Sequence, residues 1–63
     1  MNKIKKYRQL KGITQSKMAQ ELNITSDYLS MLERGVRTPS LKLAMKISIY
    51  LNSSLDEIFL LTN

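Results

Sequence analysis

The sequence contains no cysteine, no histidine and no tryptophan. Without cysteine it has no disulfide, no thiolate metal site and no thiol nucleophile. Without histidine it lacks the usual general base and the commonest metal ligand. Carboxylates are also few, five against ten Lys and Arg, and two of them, Asp56 and Glu57, are neighbours near the C-terminal end. A hydrolytic or metal-assisted site needs a constellation of such groups. The expectation is therefore no enzyme, no metal and no cofactor.

Long apolar runs are missing too. The longest, such as Ile58-Phe59-Leu60-Leu61, are far too short to cross a bilayer. The opening Met1-Asn2-Lys3-Ile4-Lys5-Lys6 has charge but no apolar stretch behind it, so it does not read as a secretory signal. No membrane span is expected, and a cytoplasmic location is. There is one proline, there are two glycines, and no repeat or linker tract interrupts the chain. A length of 63 residues suits one domain, 1–63, with a thin stability margin. That leaves no room for a separate ligand-sensing domain, so regulation is expected through amount, assembly or a partner.

The net charge is +5. All ten basic residues lie at or before Lys46, where only Glu21, Asp27 and Glu33 are acidic. Such a balance suits a polyanion, most often nucleic acid or an anionic membrane. The same charge is also ordinary on solvated helix faces.

Punctuation divides the chain into five pieces of helical length, at Gly12, Asn23, Gly35, Pro39 and Asn52. Helix 1 is expected from about Asn2 to Lys11, with Ile4, Tyr7 and Leu10 facing inward. Gly12 fits the left-handed position beyond a helix end. Helix 2 runs from a Thr14 cap to Leu22, with Met18, Ala19 and Leu22 inside at helical spacing. Asn23 follows, the next-best residue after Gly at positive φ. Helix 3 follows a Thr25 cap and ends near Arg34, with Gly35 beyond. Helix 4 begins either with Thr38 capping ahead of Pro39 or with Ser40 as the cap, and runs to Leu51. Its apolar residues fall in two groups: Leu41, Ala44, Met45, Ser48 and Leu51 on one face, Leu43, Ile47 and Tyr50 on another. Ser54-Leu55-Asp56-Glu57 has the form of a capping box for helix 5, with Leu55, Ile58 and Phe59 inside.

On a wheel of 100° per residue, Leu29 and Leu32 of helix 3 lie together with Thr25 between them, making the core face. Asp27, Ser30, Met31 and Arg34 lie opposite, with Ser26 at one edge and Tyr28 at the other. This outer face has no lysine and offers varied hydrogen-bonding and apolar groups. It suits base edges in a major groove, where donors, acceptors and thymine methyls alternate. A plain polar surface would look similar. Glu33 falls towards the core side, where an acid needs a partner. Arg8, next to inward-facing Tyr7, is the expected one, in a structural ion pair joining helix 1 to helix 3.

Beyond these local readings, the chain resembles a known family. The residues concerned are Tyr7-Arg8-Gln9-Leu10-Lys11-Gly12-Ile13-Thr14-Gln15, Met18-Ala19, Leu22-Asn23-Ile24, Tyr28-Leu29-Ser30-Met31-Leu32-Glu33-Arg34-Gly35, Thr38-Pro39-Ser40-Leu41 and Leu55-Asp56-Glu57-Ile58-Phe59. In order and spacing they are similar to the lambda-repressor-like, XRE-type helix-turn-helix family. Asn23 and Asn52 stand where that family often has Gly, and Met18 where Leu is common. The resemblance implies an all-α, compact five-helix DNA-binding domain with its motif at about 14–35. Helix 3 would lie in the major groove and helix 2 across the backbone. By position, base reading falls on Ser26, Asp27 and Met31, with Tyr28 and Ser30 nearby. Gln15 matches a phosphate-contacting Gln, Arg34, Arg37 and Ser40 approach the backbone, and Lys11 and Lys17 are weaker phosphate candidates. Asp27 either accepts from a cytosine amino group, or repels wrong bases, or simply sits favourably at a helix N-terminus.

The function so implied is sequence-specific binding of double-stranded DNA by a transcriptional regulator, a repressor on a palindromic operator. A homodimer through helix 5 and the C-terminal tail, with part of helix 4, is expected, because the apolar residues of helices 4 and 5 exceed one small core. The alternative is an antitoxin-like or anti-repressor-like protein-interaction module of the same fold, with a protein partner. A membrane-surface peptide fits poorly, since the apolar residues are spread over several capped helices. RNA binding fits poorly too, for want of an aromatic stacking platform.

Overall fold

In the computed structural model, which describes residues 2–60, four of the five helices begin on a hydroxyl residue that caps them. Thr14 Oγ1 accepts the Lys17 N–H at 3.1 Å and opens α2 (Gln15–Leu22). Thr25 Oγ1 accepts the Tyr28 N–H at 3.0 Å and opens α3 (Ser26–Glu33). Ser40 Oγ accepts the Leu43 N–H at 3.2 Å and opens α4 (Leu41–Leu51), so Ser40 is the cap and Thr38 is not. At α5 (Leu55–Phe59) the box closes both ways. Ser54 Oγ accepts the Glu57 N–H at 3.1 Å, and the Glu57 carboxylate accepts the Ser54 N–H at 2.9 Å. These bonds satisfy N–H groups that have no partner inside their helix. They also hold the Glu57 carboxyl below the usual carboxylate range, the backbone N–H of Ser54 being the largest cause.

α1 (Ile4–Leu10) is shorter than the expected Asn2–Lys11. Asn2 lies outside the helix because its side chain serves two other groups. Its Oδ1 accepts the Ile4 N–H at 3.0 Å, and its Nδ2 donates to the Leu32 carbonyl at 2.7 Å. The Lys3 N–H donates to the Ile58 carbonyl at 2.7 Å, so the start of the chain is tied to both α3 and α5. At the other helix ends, Asn23 (φ 61°) and Asn52 (φ 54°) occupy the left-handed region expected of them. Asn tolerates this region because its short side chain bonds locally.

The core draws on every helix: Ile4, Met18, Ala19, Leu22, Leu29, Leu32, Ile47, Leu51 and Ile58. Ile13 and Ile24 of the turns and the rings of Tyr7, Tyr28, Tyr50 and Phe59 pack around it. Two inward assignments, Leu10 and Thr25, are corrected. Leu10 is 71% exposed, because the inward place one turn beyond Ile4 belongs to Arg8 and its ion pair. On α4 the buried residues are Ala44, Ile47 and Leu51, drawn from both expected groups, while Leu41 and Met45 face outward. The buried stripe of α4 therefore runs between the two groups read from the wheel. Thr25 is likewise exposed, its place being the cap and not the core.

Tyr50 adds a polar tie, its hydroxyl donating to Glu21 at 2.8 Å. Desolvation, and then the Glu21 carboxylate, raise the pKa of this phenol, so it stays a donor. Among the described residues no helix is long and apolar enough to cross a membrane, and no group of His, Asp or Glu is placed to hold a metal ion.

Candidate nucleic-acid interface

α2 and α3 meet through the three residues Asn23, Ile24 and Thr25. The left-handed Asn23 reverses the chain, and the Ile24 N–H donates to the Ala19 carbonyl at 2.9 Å. Ile24 then packs against the core and Thr25 caps the next helix. Two short helices are thereby fixed at an angle by one turn. Leu29 and Leu32 anchor α3 from beneath, with no exposed surface. What α3 leaves outside is the surface read from the wheel. Ser26 and Asp27 are exposed at its N-terminal end, Ser30 and Met31 are half-buried along its length, and Arg34 is exposed at its end. Tyr28 is different: it is half-buried and packs against the core, so only part of its ring faces out.

The side chains expected at phosphates lie on the flanks of α3. Gln15 is the first residue of α2, beside the free N–H groups and partial positive charge of that helix end. Lys17 is exposed and 3.9 Å from Glu21 one turn on. Arg34 Nε reaches Ser30 Oγ at 3.4 Å. Arg37 and Ser40 are exposed in and after the loop that leaves α3, Ser40 already engaged as the α4 cap. Asp27 occupies the first turn of α3, where the helix dipole favours a negative charge.

Beneath this surface lies a buried hub. Arg8 Nε donates to Glu33 Oε2 at 2.6 Å and Arg8 Nη2 to Glu33 Oε1 at 3.2 Å, a fork of two bonds. Arg8 Nη1 also donates to the Ile13 carbonyl at 2.8 Å. The two side chains are 10% and 3% exposed, so this pair is not a surface pair. Gln15 Nε2 donates to the same Glu33 Oε1 at 3.0 Å. One carboxylate thus joins α1, the beginning of α2 and the end of α3. The wheel carried the Arg8–Glu33 pair, but nothing in the spacing of Gln15 and Glu33 shows that they touch. Only the angle between α2 and α3 brings them together. The bond fixes which end of the Gln15 amide faces inward, since a carboxylate can only accept. One amide N–H remains for a partner outside.

The arrangement can do three things chemically: present varied small groups along a helix, offer helix-end N–H groups, and flank both with guanidinium. Among the described residues it gathers no cluster of metal ligands. The helix-turn-helix family model matches residues 4–58. An uncharacterized HTH-type transcriptional regulator of Methanocaldococcus jannaschii is 37% identical over 94% of this chain and 89% of its own length. The HTH-type transcriptional regulators SlrR and SinR of Bacillus subtilis are 40% and 38% identical over 89% and 82% of this chain. The match spans 38% and 48% of those two longer proteins. The chain belongs to the XRE-type helix-turn-helix family, a non-enzymatic class of DNA-binding regulators.

Proposed function

We propose that this chain is a sequence-specific repressor of transcription that acts in the cytoplasm as a homodimer on a palindromic operator. The observation that carries the reading is the outer face of α3. It is anchored from beneath by Leu29 and Leu32 and presents Ser26, Asp27, Ser30 and Met31 together. Those four, with the exposed part of Tyr28, are the base-reading set. Gln15, Lys17, Arg34, Arg37 and Ser40 are the phosphate set, and they fix the register of α3 without specifying sequence. Repression follows from occupancy, the one mode that asks nothing of the protein beyond binding.

The dimer rests on size and on exposed apolar surface. α3 has eight residues, and so spans roughly 12 Å at ~1.5 Å per residue. That reads about one half-site. The longest extent of the described fold is 31 Å, too short to place reading groups at two half-sites roughly 34 Å apart. Met45 and Ile49 of α4 and Leu60 after α5 are 48%, 76% and 47% exposed, and support an interface between copies. The remaining tail residue expected there, Leu61, lies outside the described residues.

Selection of bound sequences from random double-stranded DNA at near-physiological salt tests the reading. A recovered motif with two-fold symmetry is the expected result. Recovery of no motif, with weak and salt-sensitive binding only, overturns it in favour of an antitoxin-like or anti-repressor-like module that acts through a protein partner.

A further inference from the structure

A cleft of about 530 Å³ opens beside the proposed DNA-binding surface, between the loop after α3, the start of α4 and α5. Pro39, Leu41, Leu55 and Phe59 supply apolar surface, and Arg34 and Arg37 line it as well. Among the described residues no Asp or Glu lines it. Among the described residues neither arginine is in an ion pair. Leu41 is 71% exposed there, although Ala44 one turn on is buried. Apolar surface flanked by two uncompensated guanidinium groups is a particular combination. It matches a segment that carries bulky apolar side chains next to carboxylates, since planar guanidinium pairs well with carboxylate.

We infer that this cleft docks an acidic, apolar peptide segment of another protein, and that docking opposes DNA binding. Charge selects this occupant over a second copy of the chain. The copy carries net +5, and its five acidic residues are committed elsewhere: Glu33 to Arg8, Glu21 to Tyr50 and Lys17, Asp27 to the first turn of α3, and Asp56 and Glu57 to α5, the helix that already walls the cleft. A nucleic acid satisfies the arginines but has no use for the apolar surface. A peptide carboxylate seated on Arg34 and Arg37 withdraws the charge that the phosphate backbone needs. The opposition to DNA rests on the proposed phosphate role of Arg34 and Arg37; the docking itself does not.

Selection from a random peptide-display library on the immobilised full chain, without DNA, tests the docking. Enrichment of peptides combining Asp or Glu with Leu, Ile or Phe is expected. The best of them, synthesised and titrated into ¹⁵N-labelled protein, should shift the amides of Gly35, Leu41, Ala44 and Phe59. Arg37→Glu and Leu41→Glu alter exposed side chains and preserve the core, and each should weaken that peptide about tenfold or more. No enrichment, or peptides indifferent to both variants, overturns the proposal. So do shifts of the same amides that depend on protein concentration without peptide, which would put a second copy in the cleft. Competition against operator DNA then isolates the second half. A peptide that docks yet leaves DNA bound overturns the opposition alone, and absence of any operator leaves the docking result standing.

Discussion

Removing the Glu33 carboxylate leaves the Arg8 guanidinium buried with its charge uncompensated. Loss of one partner of a buried pair costs roughly 3–5 kcal/mol, out of the ~5–15 kcal/mol that holds a typical domain together. Urea unfolding followed by circular dichroism should show a large fall in midpoint for Glu33→Leu. The double replacement Arg8→Leu with Glu33→Leu should fall less than Glu33→Leu alone, because it removes both charges. Gln15→Ala belongs to the same network but to a different readout. It should lower the urea midpoint by less than Glu33→Leu does, since Arg8 still pairs the carboxylate, while weakening DNA binding about equally on specific and non-specific sequences, as loss of a phosphate contact does. Residue identities made the Arg8–Glu33 pair legible, since an acid on an inward edge requires a cation. The Gln15–Glu33 bond was not legible, because it depends on how α2 and α3 cross and on no spacing within either. The same holds for Asn2, whose reach to the Leu32 carbonyl crosses thirty positions of sequence.

Helix boundaries were the most legible feature of the chain. Thr14, Thr25 and Ser54 are caps with a physical reason to be caps, and Asn23 and Asn52 are left-handed with a reason to be so. The orientation of α4 was not legible. It carries apolar residues on most of its circumference, and a wheel cannot say which arc another element will cover. Ser54→Ala should cost about 1 kcal/mol, seen as faster amide exchange across α5. The cap also predicts a pH response. Glu57 has a folded pKa below its unfolded one, so its contribution is whole above the ordinary glutamate value. It is lost as pH falls through the lower folded value. Acid titration of α5 amide exchange should show this loss in the parent protein and much less of it in Ser54→Ala. Asn52→Gly should be near neutral or slightly stabilising, whereas Asn52→Ala should cost roughly 1 kcal/mol for a left-handed side chain with no local bond.

For the molecule as a whole, the all-α fold was readable from punctuation and helical spacing and the family from resemblance, while the apolar residues left outside the core were not readable. Which leucines a core leaves over is a property of packing: Leu41 and Leu51 look alike in the sequence, and one is exposed while the other is buried. Ile49→Glu places a charge on a side chain that is 76% exposed, so the fold should survive it. Sedimentation equilibrium should find this variant monomeric, with operator affinity about tenfold lower or worse through loss of bivalent engagement. A variant that remains dimeric would move the interface off α4. Arg37→Ala should reduce the slope of log affinity against log salt by about 1, as expected for one phosphate contact fewer.

The bond from the Lys3 N–H to the Ile58 carbonyl links positions at opposite ends of the chain. A ribosome makes one end long before the other. Until Ile58 leaves the exit tunnel, Lys3 lacks its acceptor and the buried cluster around Ile4 lacks one of its members. α3 is synthesised well before α5, yet its footing on α1 is incomplete until almost the last residue described. Nascent chains arrested before α5 should therefore be protease-sensitive throughout, and competence to grip DNA should arrive in one step, once α5 has cleared the tunnel.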